Sequence, residues 1–347
     1  MIPLPDWAPN LHPLIVHFPI GILFTAALFD LVGTALRNLD FPRRAAMMLY
    51  VLGGIAITFT WLTGRAAADS VFLPTEANAL LTEHADLGTW AFYFFAAYAV
   101  VRLITFFAGL EKSTPVRLIQ TLVGLGGLAL LTVTADHGAE MVFKYGVGVQ
   151  AVDSSPAVVM APADSSAFGP QVTDNGGWMW RPTRAAAWQS AMVTSGDLRS
   201  SLVDGGERGD VLALSVSDGS AMFWFDQPLE AIQVDASMDL SGFDGTAMLV
   251  HHIIDKDNFH FMAVGQGEMR QGHSENGDLY LMDAKPFDAA GWHTYRVVGD
   301  QTHFRAYADE VLVTHGHKEA AGSGFVGVRL NGTGTVLLEW MQVQPVR

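Results

Sequence analysis

Four long apolar runs in the first 150 residues restrict this chain more than any other feature. They cover approximately residues 13–36, 45–62, 85–109 and 118–135. Crossing a hydrocarbon core of roughly 30 Å takes about 20 helical residues, and a bilayer supplies no water to an unpaired backbone, so each run is expected to be a helix. Arg37, Arg43 and Arg44 lie between the first pair, and Lys112 and Arg117 lie between the third and fourth, with Arg102 nearby. The N-terminal tail and the 63–84 loop hold Asp6, Asp69, Glu76 and Glu83 against Arg65 alone. Cytoplasmic loops carry the excess of Lys and Arg, so both termini are expected outside a bacterial cytoplasmic membrane, with the C-terminal part in the periplasm. Residues Met1–Trp7 lack a basic region ahead of the first run, so that run is expected to insert without cleavage.

Charge separates the two halves. Up to residue 150 there are 8 Lys/Arg against 10 Asp/Glu; beyond it there are 12 against 25. A net formal charge of −15 excludes phosphate backbones as natural partners. The absence of cysteine excludes disulfides, thiolate zinc sites, iron–sulfur clusters and c-type haem attachment.

Residues 150–177 are rich in Ala, Ser and spaced Pro, a composition expected to form a semi-extended linker. The pattern then changes to alternation at Ala221–Asp226, Ile232–Met238, Thr294–Val298, His303–Tyr307, Glu310–Thr314, Gly324–Leu330 and Val336–Val343. Short strands parted by Gly, Asp and Asn turns predict an antiparallel β-sandwich or jelly roll over 178–347. The expected fold is therefore a four-transmembrane-helix bundle over 1–149 followed by an all-β sandwich.

Two resemblances fit this division. Leu11-His12-Pro13 with His17-Phe18-Pro19, Thr63-Gly64, His84, and His137-Gly138 with Tyr145-Gly146 resemble the bacterial four-helix membrane family DUF2231 over about residues 8–150. Ala139 stands where a second glycine is expected. Asp257-Asn258-Phe259-His260-Phe261, Gly291–Val297 and Gly324–Val328 resemble strands of concanavalin-like jelly rolls, including the laminin-G-like and keto-disaccharide-hydrolase-like groups. That resemblance implies a fold, which hosts hydrolases, lectins and structural modules alike.

Ionisable groups in a membrane domain are functional candidates. His12, His17, His84 and His137 all fall at the outer ends of their runs, where they could converge on a haem b or a metal; His17 and His137 are the first choice for an axial pair. A structural cluster is the alternative, with Asp136 and Glu140 as partners of His137. No histidine lies at the cytoplasmic end, so any haem would be single and outward-facing. Trp7, Trp61 and Trp90 are expected in the interfacial belt or a subunit contact. Gly53, Gly54, Gly124, Gly126 and Gly127 are expected at close helix packing, within the bundle or against another subunit.

The β-half shows no acid pair at glycosidase spacing. Asp235/Asp239 and Asp255/Asp257 read as solvated loop ends, and His251, His252, His260, His315 and His317 as surface or strand-face histidines rather than metal ligands. Calcium between loops stays open. Three functions follow: a non-catalytic accessory or scaffold subunit of a respiratory or photosynthetic electron-transfer assembly, a single-haem b redox protein, and a membrane-anchored glycan-binding or glycan-cleaving module. The acidic outer half would favour a basic soluble electron carrier.

Overall fold

The computed structural model describes residues 10–36, 38–149, 170–182, 192–300, 302–319 and 322–346. The chain divides into two compact units.

The first unit is helical: α1 (His12–Ile15), α2 (His17–Ala35), α3 (Asp40–Ala68), α4 (Asn78–Phe107) and α5 (Thr114–Tyr145). Four of its segments are long and apolar enough to span a bilayer. Leu23, Tyr50, Ile57, Phe95, Tyr98 and Leu131 fill its centre, while Leu28, Ile55, Phe59, Ile104 and Leu122 face outward. Apolar residues on every side suit helices whose outer face meets lipid. Several helices outrun the apolar runs that announce them. α5 continues past 135 because Lys144 pairs with Glu140 one turn earlier, 2.6 Å away, and left-handed Gly146 (φ 67°) closes the end. There the Val147 amide donates to Met141 O and the Gly146 amide to Val142 O, satisfying carbonyls that the helix leaves open.

Small residues set the helix spacing. A Cβ at Gly54 would lie 2.9 Å from Ala99 Cβ and 3.2 Å from Phe95 O; Gly53, Gly124 and Gly127 meet Leu23, Tyr50 and Phe94. These four therefore pack within the bundle. Gly126, expected to share that role, has open space beside it.

The second unit is the sandwich. All strand pairs among its described residues are antiparallel, and the main path runs β11-β10-β9-β8-β15-β7-β12-β13-β14. The strands on that path are β7 (Ile232–Asp239), β8 (Phe243–Ile253), β9 (Phe259–Gly265), β10 (Glu268–Glu275), β11 (Asp278–Pro286), β12 (Trp292–Asp300), β13 (His303–Ala308), β14 (Val311–His317) and β15 (Gly324–Pro345). The two alternating runs expected near the end are one strand. β15 pairs with β8 and β6 (Ser220–Leu229) through its first half, and with β7 through its second. The Asn331–Gly334 stretch, which reads as a turn, is instead the corner where the strand passes between layers: Gly332 and Gly334 have φ of 149° and 120°. Leu214, Phe223, Phe225, Val234, Leu249 and Val297 are among the side chains filling the interior.

The sandwich begins before residue 178. β1 (Gln171–Val172) pairs with β2 (Trp178–Trp180) across a turn closed by Thr173, Asn175 and Gly177, so local polar side chains tie down part of the expected linker; 150–169 fall outside the described residues. Phe72–Ala79 belongs to this unit: the Arg296 guanidinium lies 4.1 Å from the Phe72 ring centroid and donates to Leu73 O at 2.9 Å.

Candidate ligand-binding cleft and histidine clusters

Strand alternation turns a second set of side chains away from the core. Met222, Met248, Phe259, Phe261 and Ala263 form an apolar cluster of their own on this outer face. Above it opens a cleft of about 590 Å³, within the roughly 300–1,000 Å³ of small-ligand sites. Met248, Phe261 and Ala263 line its apolar part, Leu279 and Leu281 of β11 stand along one side, and Asp244, Thr246, Gln266, Arg270, Asn331 and Thr333 supply polar groups. Register aligns Arg270 with Ala263, and Ala263 with Met248. Thr246 steadies the guanidinium, accepting from Nη2 at 3.0 Å. Arg270 Nε–H, shielded from solvent, has no hydrogen-bond partner among the described residues. A donor left this way costs about 1–3 kcal/mol until something accepts from it. Asp244 is the one carboxylate in the lining.

Three of the histidines read as surface or strand-face residues lie in the sandwich interior: His251, His252 and His260 are all buried. His252 Nε2–H donates to Glu230 O, so its Nδ1 is the acceptor and His251 Nδ1–H donates to it at 2.7 Å. That chain leaves His251 Nε2 as a bare lone pair inside the fold. His260 stacks on Phe304 at 4.8 Å and lies 5.7 Å from both His251 and His273. Burial, reinforced by neighbouring imidazoles, holds His251 far below the usual range and pushes His260 down to about 3. All are therefore neutral near pH 7.

Asp235 is likewise no loop end. It is a buried β7 residue that accepts from Arg296 Nε at 2.6 Å and Gln233 Nε2 at 2.7 Å. Asp255 does belong to a turn, where its carboxylate accepts from Asp257 N, Asn258 N and the Asn258 side chain.

In the helical unit the structure brings together a different set of histidines from the pair expected. His12 and His84 meet edge to face at 6.4 Å. Each ring rests on a glycine of the motif: a Cβ at Gly64 would lie 3.1 Å from His12 Cε1, and one at Gly138 would lie 3.1 Å from His84 Cε1. His84 Nδ1–H donates to Thr134 O at 2.9 Å, and His12 Nδ1 lies 3.5 Å from Thr63 Oγ1. His137 Nδ1–H donates to Val133 O at 2.9 Å, and its Nε2 faces Glu83 at 3.3 Å. Both of its nitrogens are thus engaged, and its acid partner is Glu83 rather than Asp136 or Glu140. His17 is exposed and makes no ring contact with the other three among the described residues. Among the described residues His17 and His137 make no ring contact with each other.

Trp7 lies outside the described residues. Trp61 stacks on Phe92 at 4.7 Å and donates to Thr89 Oγ1 at 3.1 Å, while Trp90 remains 66% exposed.

One polar centre escaped the reading of the sequence. Arg102, counted there among the loop charges, is buried within α4. It meets Asp30 of α2 at 2.8 Å and Glu111 at 3.3 Å, with its guanidinium 5.0 Å from the Tyr50 ring centroid. The available signal was Asp30 itself, a carboxylate inside an apolar run.

Residues 8–151 match the family DUF2231, described as a predicted membrane protein. No curated protein matches. Among solved structures, the sandwich is similar to a carbohydrate-binding module, CBM66, from Bacillus subtilis (16% identity over 43% of this chain and 92% of that one, TM-score 0.36). It is also similar to a β-glucanase from Bacillus licheniformis (13% identity, 50% and 100%, TM-score 0.38). A third likeness is to a Bacillus subtilis protein of unknown function with a galectin-like fold (13% identity, 46% and 91%, TM-score 0.38).

Proposed function

We propose that this is a membrane-anchored binding protein whose sandwich takes a short, hydroxyl-rich ligand, a glycan, in the cleft above Met248 and Phe261. The observation that carries the reading is Arg270 in the lining of the cleft: a guanidinium steadied by Thr246 beside the apolar floor of Met248, Phe261 and Ala263. Sugar rings present apolar faces to such a floor and hydroxyls to such donors, and Asp244, Gln266 and Asn331 at the cleft complement them. Binding without cleavage is favoured because glycoside hydrolysis by the two-carboxylate route needs a pair flanking the bond, and the lining offers Asp244 alone. We read the sandwich as extracytoplasmic from the loop charges, which gather Lys and Arg at the opposite ends of the helices.

The test is thermal unfolding of the intact protein in mild detergent across a panel of neutral and acidic oligosaccharides. A binder present at about 100 times its Kd stabilises by about 2.7 kcal/mol. Arg270→Gln abolishes that shift on this reading, and no reducing ends are released. A panel without any shift, or a shift retained in R270Q, overturns it.

A second reading, an accessory subunit of a larger membrane assembly, rests on Gly21, Gly88 and Gly126, which open onto free space at the helix surface and leave room for another subunit's helix. Comigration with partners in mild detergent supports it; the histidine geometry adds nothing for an electron-transfer host.

A further inference from the structure

We propose that His303, His315 and His317 form a binding site for a divalent transition-metal ion of the zinc class. The site follows from strand geometry. His315 and His317 are two apart on β14 and so share one face, while the antiparallel register sets His303 of β13 directly opposite His317 and diagonal to His315. One nitrogen from each ring falls within 4.8 Å of the others. His303 Nδ1 and His315 Nε2 are 3.2 Å apart. Two imidazole nitrogens on a tetrahedral zinc, with bonds of 2.0–2.1 Å, stand about 3.3 Å apart, so this edge is already at ligand spacing. The third ring, His317, whose centroid lies 4.6 Å from those of both His303 and His315, closes on the ion by side-chain rotation, since it is the exposed member.

Neighbouring residues fix the two β14 ligands. Asp283 Oδ2 accepts from the His315 backbone N–H at 3.0 Å, tying β14 to β11. Gly316, between the ligands, allows that approach: a Cβ there would lie 2.7 Å from Met282 Cβ. Asp300 stands opposite His303 and Arg305 opposite His315 across the ladders, charges of opposite sign on the same face. His303 is buried, His315 intermediate and His317 exposed, so a fourth position opens toward solvent. Three imidazole nitrogens plus an open position suit zinc, copper or nickel; calcium and magnesium require oxygen ligands.

Full-length, tag-free protein in detergent, stripped with chelator, is titrated with Zn2+ and separately with Co2+. Expected are one high-affinity equivalent per chain, the intense visible absorption of four-coordinate Co2+, and no competition from excess Ca2+ or Mg2+. His317→Ala, at an exposed position, weakens binding at least tenfold, and the H315A/H317A pair removes both the equivalent and the cobalt spectrum. His260→Phe, which alters the interior histidines only, leaves both intact. No stoichiometric binding, or binding and spectrum unchanged in H315A/H317A, overturns the proposal.

Discussion

Single side chains carry the sharpest energetic consequences. The interior histidines stay neutral because burial disfavours their charged form, whereas in the unfolded chain each has an ordinary pKa near 6.5. Below about pH 6.5 the unfolded chain takes up protons that the folded one refuses, so stability falls with pH until about 3, where folded His260 itself protonates. Two pH units below 6.5 the cost is about 2–3 kcal/mol for this residue. Denaturant melts of the sandwich between pH 7 and 4.5 should show that loss, and H260F should flatten the slope. In the helices, Asp30→Asn leaves buried Arg102 short of a counter-charge, for which the expected cost is about 3–5 kcal/mol. Thermal unfolding in detergent checks it, with Asp30→Asn/Arg102→Met/Glu111→Gln, which removes all three charges, recovering part of the loss. Asp235 shows why such pairs hide from a sequence: its partner Arg296 is 61 positions away.

At the level of helices and strands, legibility follows locality. Apolar runs announced four spanning helices because the sides of a helix that face lipid must be apolar; their ends were obscure because caps and i,i+4 pairs, as at Lys144 and Gly146, extend a helix through polar sequence. β6, β7 and β12 to β15 were readable from alternation, whereas β8, β10 and β11 were not picked out by it; nor was the corner in β15, since Gly332 and Gly334 serve a bend as readily as a turn. The histidines were recognised as unusual, yet which rings meet depends on packing between helices: Gly64 and Gly138 seat His12 and His84, leaving His17 aside. Helix spacing supplies its own test. Gly54→Ala forces the α3 and α4 backbones apart at Phe95 and Ala99, at an expected cost of about 1–3 kcal/mol. Gly126→Ala has open space and should leave the melting temperature unchanged or slightly raised.

For the whole molecule, the orientation in the membrane decides what the cleft can meet. The chain has no cysteine, so one introduced thiol reports its own side. Ser70→Cys, in the segment between α3 and α4, should react in intact cells with a membrane-impermeant maleimide; Ser113→Cys, between α4 and α5, should react only after lysis. The reverse pattern would put the sandwich in the cytoplasm.

β15 pairs with β2 (Trp178–Trp180), β5 (Asp210–Val216), β6, β7 and β8, all of which precede it along the chain. Synthesis therefore delivers the shared strand of both layers after every partner it joins, and contacts of such long sequence separation form slowly. Until then the earlier strands have no closed sandwich to enter. The order of the strands itself therefore delays closure of the sandwich until β15 has been made.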